Sequence, residues 1–387
     1  MLALILLLVG VAGAIVRPRG APAWCVPSLA AIVGVASGAI GHPGTVVRPL
    51  AAPVAFLLCA VPLATLLDRV GFFAAAAAIV GSGRHLALGL WILGAVVTTV
   101  LNLDASIVLL TPLYVQIARR CSVDPFVFAV QPVLLSCLAS SALPVSNLTN
   151  LIVASTRHLT AVQFLSHLGP PSVVAVVVGW WAYARVVRPS VPDAPLGPAP
   201  DPRALVIGGG VVSAVLVGFV IGPGAGIPEW AVALVAVALL VAITRHVPVR
   251  DIPWGIGLVA VSLGLLAAGA AAHVDFHGMF SGSGNFDLVR ISVTSAVGAN
   301  AVNNLPALLV ALPRTGAGVW ALLLGVNIGP LVLVTGTLAA LLWQAGLTSL
   351  GVRVTAREFA RVGGRVMVPA LAGAIVTLVV LRPVVGG

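Results

Sequence analysis

The stretch VVTTVLNLDASIVLLTPL (residues 96–113) places Asn102 and Asp104 between two long apolar runs and ends near a proline. A related stretch, AVNNLPALLVALP (residues 301–313), has Asn303 at a position 201 residues after Asn102 and a proline at the same spacing. Polar residues inside such apolar segments indicate interrupted membrane helices, because lipid cannot satisfy unpaired backbone groups unless they line a cavity. The repetition predicts two halves built on one plan, each with a broken segment at membrane depth.

The composition of the chain is that of a membrane protein. Of its 387 residues, 60% are apolar and 8% are charged, whereas soluble proteins carry about 25% charged residues. Apolar runs close to the roughly 20 residues of a membrane span recur from end to end. These features exclude an ordinary soluble enzyme, a nucleic-acid-binding protein and a disordered protein. We therefore expect an all-α polytopic protein with about ten spans in the lipid bilayer of the plasma membrane.

The apolar segments fall into two sets that follow the same order. We predict a first transmembrane repeat over 1–187, a Pro-rich cytoplasmic linker over 188–203 and an inverted second repeat over 204–387. Each repeat is expected to contain a re-entrant hairpin, a discontinuous transmembrane helix and a final span. In chain order, these segments are predicted at 86–118, 127–155 and 169–187, and at 290–313, 317–345 and 363–381. Inverted repeats with interrupted helices are typical of secondary transporters.

The arginines favour one orientation in the membrane. All 20 basic residues are arginine, and the net charge is +10. With the N-terminus outside and both hairpins re-entrant, 15 arginines fall inside and five fall outside, as the positive-inside rule requires. Making the hairpins full crossings would mix the two groups. The apolar segment from Met1 to Val16 is accordingly interpreted as the first span and not as a cleaved signal peptide.

Asp104 stands out because the other nine acidic residues lie in loops, in the linker or at span ends. A carboxylate at membrane depth is costly unless it is paired, so such residues are usually functional. In apolar surroundings it can take up and release a proton, and Asp104 is our candidate proton carrier. The alternative is a structural role, in which the carboxylate caps one arm of the hairpin by accepting bonds from backbone N–H groups.

Asparagines form the second group of candidate residues. An Asn side chain offers two donors and an acceptor without a charge, which suits a small polar solute or a weakly held anion. The same side chains are also expected to satisfy the broken backbone. Asn102 and Asn303 are the strongest ligand candidates because the repeat relates them. Ser146, Thr335 and Thr337 are candidate hydroxyl ligands, although Ser and Thr often bond back to helix carbonyls.

Other groupings carry less weight. The four cysteines are scattered and predict neither a disulfide nor a zinc site. His273, Asp275 and His277 have a spacing that suits a metal, but a hydrated outside loop is the default interpretation, and we expect no metal and no cofactor. A basic stripe on one helix face, resting on anionic lipid headgroups, is predicted from the recurring arginines Arg353, Arg357, Arg361 and Arg365.

Four motifs in order resemble the arsenite/antimonite efflux permeases of the ion transporter superfamily, which also includes citrate and divalent-anion–sodium symporters. The motifs are LNLDASIVLLTPL (101–113), PVSNLTNLIVAS (144–155), AVNNLPALLVALP (301–313) and GVNIGPLVLVTGTLAALLW (325–343). The resemblance implies a substrate site between two hairpin tips and two helix breaks. The implied site residues are Asn102 and Asp104 at the first tip, Ser146, Asn147 and Asn150 at the first break, Asn303 and Asn304 at the second tip, and Asn327, Thr335 and Thr337 at the second break.

On this basis we expect a secondary transporter that expels a small oxyacid, arsenite or antimonite, in exchange for protons. Undissociated arsenous acid is a neutral triol-like solute that suits a site of Asn, Ser and Thr. The alternative is a sodium- or proton-coupled carrier of citrate, a dicarboxylate or another anion, and the third hypothesis is a passive channel or a membrane enzyme. Sodium–dicarboxylate symporters have Ser-Asn-Thr at both tips, and Asn-Leu-Asp and Val-Asn-Asn replace it here. A homodimer and a soluble ATPase partner stay open.

Overall fold

A computed structural model describes residues 2–79, 85–189, 201–271 and 277–385. Within these ranges the chain forms α-helices joined by short turns and contains no β-strand. The helices are α1 (Leu2–Val16), α2 (Cys25–Ala36), α3 (Pro43–Arg69), α4 (Phe72–Ile79), α5 (Leu86–Val100), α6 (Leu103–Arg120), α7 (Pro125–Leu138), α8 (Leu148–Arg157), α9 (Ala161–Val187), α10 (Pro202–Ile221), α11 (Glu229–Thr244), α12 (Trp254–Ala271), α13 (His277–Phe280), α14 (Asn285–Val302), α15 (Asn304–Ala311), α16 (Val319–Ile328), α17 (Leu338–Ser349) and α18 (Ala356–Val385).

Five helical segments of the described chain are long and apolar enough to cross a membrane. They are Leu50–Arg69, Ala161–Val187, Pro202–Phe219, Val249–Ala271 and Ala356–Leu381. Seven shorter apolar helices accompany them. A helix of 12 residues is about 18 Å long, so it cannot alone cross a hydrocarbon core of about 30 Å. The all-α, polytopic class predicted from the sequence is confirmed.

The predicted interruptions fall where helices end. α5 and α6 meet at Asn102, and α14 and α15 meet at Asn303. We call these two points the first tip and the second tip. Residues 139–147 separate α7 from α8, and residues 329–337 separate α16 from α17. We call these segments the first break and the second break.

The final span of each half begins earlier than predicted. It was expected from residue 169 in the first half and from residue 363 in the second, but α9 begins at Ala161 and α18 at Ala356. In α9 the reason is a capping box, in which Thr160 N donates to Gln163 Oε1 at 2.8 Å and Gln163 N donates to Thr160 Oγ1 at 3.3 Å. The cap starts the helix about two turns early, and Pro170 and Pro171 lie inside it.

Helices of the first and second halves pack against each other in reciprocal pairs. α2 packs on α12 while α11 packs on α3, and α6 packs on α17 while α15 packs on α8. α9 and α18 also form an extensive pair. The α6–α17 and α8–α15 pairs place each tip beside the helix that follows the break of the other half. Residues 190–200 of the predicted linker lie outside the described residues, and the division into two repeats stays a prediction.

The contact between α14 and α16 depends on a glycine. Ser292 Oγ on α14 donates to Ala321 O on α16 at 2.9 Å, and both partners are buried. A Cβ atom added at Gly325 would overlap the carbonyl oxygen of Ser292 and lie 2.6 Å from Ser295 Cβ. Gly325 therefore sets how closely α16, which leads into the second break, approaches α14.

We expect Gly325→Ala to destabilise the protein, because overpacking a well-packed contact costs about 1–3 kcal/mol. Gly210→Ala is the matched control, since a Cβ there meets no atom within 4 Å and α10 gains the same helix propensity. The measurement is the midpoint of thermal unfolding, Tm, in detergent. Equal Tm values for the two variants would contradict the close approach of α14 and α16.

Candidate functional site

The first break is held by its own side chains. Asn147 caps α8, since its Oδ1 accepts a hydrogen bond from Thr149 N at 3.1 Å. Ser146 Oγ and Asn150 Nδ2 both donate to Ser140 O, at 3.1 Å and 2.8 Å. All of these residues are buried. Their polar groups thus replace the helical partners that the interrupted backbone lacks.

Asn327 joins the second half to this first break. Its Oδ1 accepts hydrogen bonds from Asn147 Nδ2 at 3.1 Å and from Thr149 Oγ1 at 2.7 Å. Its Nδ2 donates to Asn150 Oδ1 at 2.7 Å and to Ser141 Oγ at 3.3 Å. Both ends of the Asn327 carboxamide are therefore satisfied inside the protein. We call this buried group the Asn327 network: Ser141, Asn147, Thr149, Asn150 and Asn327.

The two tips share one arrangement. At each tip the Asn Oδ1 accepts a hydrogen bond from the backbone N–H two residues later, at 2.8 Å for Asn102 and 3.3 Å for Asn303. The Asn102 Nδ2 donates to Val145 O in the first break at 3.3 Å, and the Asn303 Nδ2 donates to Thr335 O in the second break at 3.1 Å. Each tip is thereby fastened to the break of its own half.

The second break uses different residues from the first. Thr337 caps α17, since its Oγ1 accepts a hydrogen bond from Ala340 N at 2.9 Å. Asn300, on the preceding α14, donates from Nδ2 to Gly329 O at 2.8 Å and accepts at Oδ1 from Val332 N at 3.2 Å. The side-chain amide that satisfies the unpaired backbone groups of the second break therefore comes from a neighbouring helix and not from the break itself.

Three of the predicted site residues keep polar groups without a protein partner. Within the described part of the chain, no hydrogen bond or ion pair reaches the Asp104 carboxylate, the Asn304 carboxamide or the Thr335 hydroxyl. Asp104 and Asn304 are 6% and 8% exposed. The structural alternative for Asp104 is wrong, because the cap of α6 is Asn102. These three groups are the ones available to a ligand at the tips and the second break.

The charge of the site comes from one residue. The ion pair among the described residues joins Arg290 to Asp287 at 2.8 Å and lies at the start of α14. Arg119 and Arg157 donate to backbone carbonyls in loops. Asp104 is therefore the charged member of the predicted site residues, and the others carry neutral amides or hydroxyls. Such a site can hydrogen-bond an uncharged hydroxyl-bearing solute and can exchange one proton.

Two residues of the first break were not singled out from the sequence. Ser140 O accepts a hydrogen bond from Asn150 Nδ2, and Ser141 Oγ accepts one from Asn327 Nδ2. The pair of serines shortly before Pro144, inside an otherwise apolar segment, is a signal that could have found both. The binding role of all the predicted residues stays a prediction.

Two further predictions concern a metal site and a basic stripe on a helix face. The described residues contain no group of three His, Cys, Asp or Glu residues placed to hold a metal, while His273 and Asp275 lie outside them. The prediction that Arg353 begins a stripe on a helix face is wrong, because α18 starts at Ala356. Thr355, whose Oγ1 caps that start by accepting a hydrogen bond from Glu358 N at 3.2 Å, separates Arg353 from the helix.

Comparison with known proteins gives one family match and several similar membrane proteins. The model of a family described as citrate transporter matches residues 1–337. An arsenical pump membrane protein of Escherichia coli is 26% identical over 397 residues, covering 92% of both chains. A protein of the same name from Yersinia enterocolitica is 27% identical over 406 residues, covering 92% of this chain and 93% of its own.

We expect Asn327→Leu to destabilise the protein, because it leaves the Thr149 hydroxyl and the Asn150 Oδ1 buried without their hydrogen-bond partner. Each unsatisfied buried group costs about 1–3 kcal/mol. The measurement is Tm in detergent. The matched control is Gln344→Leu on α17, since no hydrogen bond to the Gln344 carboxamide occurs among the described residues. If both variants melt together with the unaltered protein, the Asn327 network does not hold the break.

Proposed function

The chain belongs to the citrate transporter family and is a transporter, not an enzyme, and we propose that it exports a small neutral oxyacid such as arsenite or antimonite in exchange for protons. The observation that carries this proposal is the Asp104 carboxylate, which is buried, unpaired within the described chain and accompanied by neutral polar groups. The names of the arsenical pump relatives support the choice of cargo.

The proposed exchange uses the two states of one carboxyl group. As a carboxylate, Asp104 accepts hydrogen bonds from the hydroxyl groups of an undissociated oxyacid, while Asn304 and Thr335 supply further polar contacts. When Asp104 takes up a proton from outside, it loses its accepting charge and the substrate leaves. Substrate and proton therefore bind in turn, and alternating access carries each across the membrane in opposite directions.

A carrier of citrate or another anion is the second candidate. The family's description and the helix starts at the site favour it, since α8, α15 and α17 all begin at a tip or a break. Helix N-termini attract anions. A multiply charged anion would, however, meet the Asp104 carboxylate without an arginine beside it, and this repulsion places citrate second.

We also propose the finer architecture: inverted repeats, about ten crossings, re-entrant hairpins α5–α6 and α14–α15, and an N-terminus outside. The reciprocal packing of the two halves supports the repeats. Three side-chain contacts support the grouping of loops into two sides, because each contact joins loops that this topology puts on one side. Arg119 donates to Leu350 O inside, and outside, Arg157 donates to Leu312 O and Arg314 to Ala271 O.

The orientation predicts which exposed residues a membrane-impermeant maleimide reaches in intact cells. In a background whose four cysteines are replaced by alanine, Ser166→Cys and Ser283→Cys should be labelled from outside. Thr348→Cys should be labelled only after the membrane is permeabilised. Labelling of Ser166→Cys and Ser283→Cys from opposite sides would overturn the inverted arrangement, because the first lies near the start of α9 and the second precedes α14.

Transport by purified protein in liposomes that enclose a pH dye tests the function. With an acidic interior, we expect arsenite to accumulate inside and the dye to report proton exit, without a requirement for sodium. Asp104→Asn should reduce the coupled proton flux at least about tenfold, since it removes the group that binds the proton. Asp124→Asn is the matched control, because Asp124 only caps α7 and Asn is an equally good cap.

Three outcomes would contradict the proposal. Sodium-dependent uptake of citrate or succinate without an arsenite response would favour the second candidate. Arsenite flux that neither saturates nor responds to the pH gradient would indicate a channel. Equal proton flux in Asp104→Asn and Asp124→Asn would remove Asp104 from the coupling step while leaving the cargo in place.

A further inference from the structure

A cavity away from the tips and breaks is lined by two arginines that form no ion pair among the described residues. It has a volume of about 510 Å³ and lies between the end of α1, the second half of α17 and the loop before α18. Arg17 lines it from the end of α1, and Arg353 and Thr355 line it from the loop before α18. We call it the Arg17–Arg353 cavity. No part of the proposed transport site uses these residues.

One face of α17 forms the floor of the Arg17–Arg353 cavity. Leu341, Gln344, Ala345 and Thr348 line it and recur at the i, i+3, i+4 and i+7 spacing of a helix face. The Thr348 hydroxyl bonds back to Gln344 O at 2.8 Å. The Gln344 carboxamide has no hydrogen-bond partner within the described ranges, so it adds a neutral donor between the two arginines.

The charge around this cavity is uncompensated. No ion pair to Arg17 or Arg353 occurs among the described residues. The carboxylate of Glu358, in the first turn of α18, is engaged with Thr355 Oγ1 at 2.7 Å and Thr355 N at 2.9 Å. Two guanidinium groups on one cavity repel each other, and an anion between them would replace that repulsion by two charge-assisted contacts.

The depth of the cavity indicates the kind of anion. Arg17 directly follows the apolar helix α1, where Val16 is 72% exposed, and α17 is also an apolar helix. The cavity therefore opens where membrane helices end, at the level of lipid headgroups, and Leu341 offers an apolar contact beside the charges. Arg binds phosphate oxygens in a two-pronged geometry, and phosphate is the anion that lipid headgroups present.

We propose that the Arg17–Arg353 cavity binds a phosphate group, and that the headgroup of an anionic phospholipid supplies it. The bound phosphate joins the end of α1 in the first half to α17 and the loop before α18 in the second half. Arg353 accordingly acts with Arg17, and not as the first member of a stripe with Arg357.

The test measures the affinity of purified protein in neutral detergent for three probes: short-chain phosphatidylglycerol, short-chain phosphatidylcholine and inorganic phosphate. We expect phosphatidylglycerol to bind and to raise Tm, and phosphatidylcholine to do neither. In Arg17→Gln/Arg353→Gln the dissociation constant for phosphatidylglycerol should rise about tenfold or more. Binding of inorganic phosphate with the same dependence on the two arginines would support the phosphate site and assign it a soluble ligand.

The control variant is Arg245→Gln/Arg250→Gln. It removes the same charge from exposed positions, and Arg245, like Arg17, directly follows a helix in a left-handed conformation, with φ 52° against 48°. Equal weakening of phosphatidylglycerol binding in both double variants would overturn the proposal, since binding would then follow net charge. Absence of binding by the unaltered protein would also overturn it. If the double variant does not fold, Arg17→Gln and Arg353→Gln alone, compared with Arg245→Gln, give the same decision.

Discussion

The structure depends on one constraint, which is that a membrane interior offers no water to an unpaired backbone group. Four interruptions of the helices create such groups, and amide side chains satisfy them. Asn102 and Asn303 do this in the same way, each by capping the helix that follows it and by holding a carbonyl of the neighbouring break. The tips can be non-helical only because these carboxamides stand in for water.

The same constraint divides the polar residues into two groups, those that satisfy the protein's own polar groups and those that do not. Asn147, Asn150 and Asn327 use both ends of their amides on protein partners, so they build the site. Asp104 and Asn304 have no such partners in the described chain, so they are the groups proposed to bind a solute. A polar residue at membrane depth is therefore a ligand candidate only after the needs of the backbone around it have been met.

Much of this was predictable from the sequence, and the limit has a physical cause. Asn102 and Asn303 inside apolar segments locate the tips. An asparagine is costly in lipid, and each of these two caps the helix that begins directly after it. The sequence does not indicate which amides already form hydrogen bonds within the protein, because their partners are distant in the chain. Asn327, for example, bonds to Asn150, 177 residues away. The start of α9 at Ala161 was missed for the opposite reason, since its capping box is local but lies in a polar stretch.

The Asn327 network has no counterpart in the other half. Matching the caps Asn147 and Thr337 pairs Asn327 with Cys137, a buried thiol whose contact is Ser136 Oγ at 3.9 Å. Identical repeats that exchange conformations would give two orientations of equal free energy. Here each hydrogen bond of the network that lacks a repeat-related counterpart contributes about 0.5–1.5 kcal/mol, and a difference of about 1.4 kcal/mol shifts an equilibrium tenfold. Under the proposed alternating-access mechanism, an empty carrier with this asymmetry would spend most of its time open to a single side of the membrane.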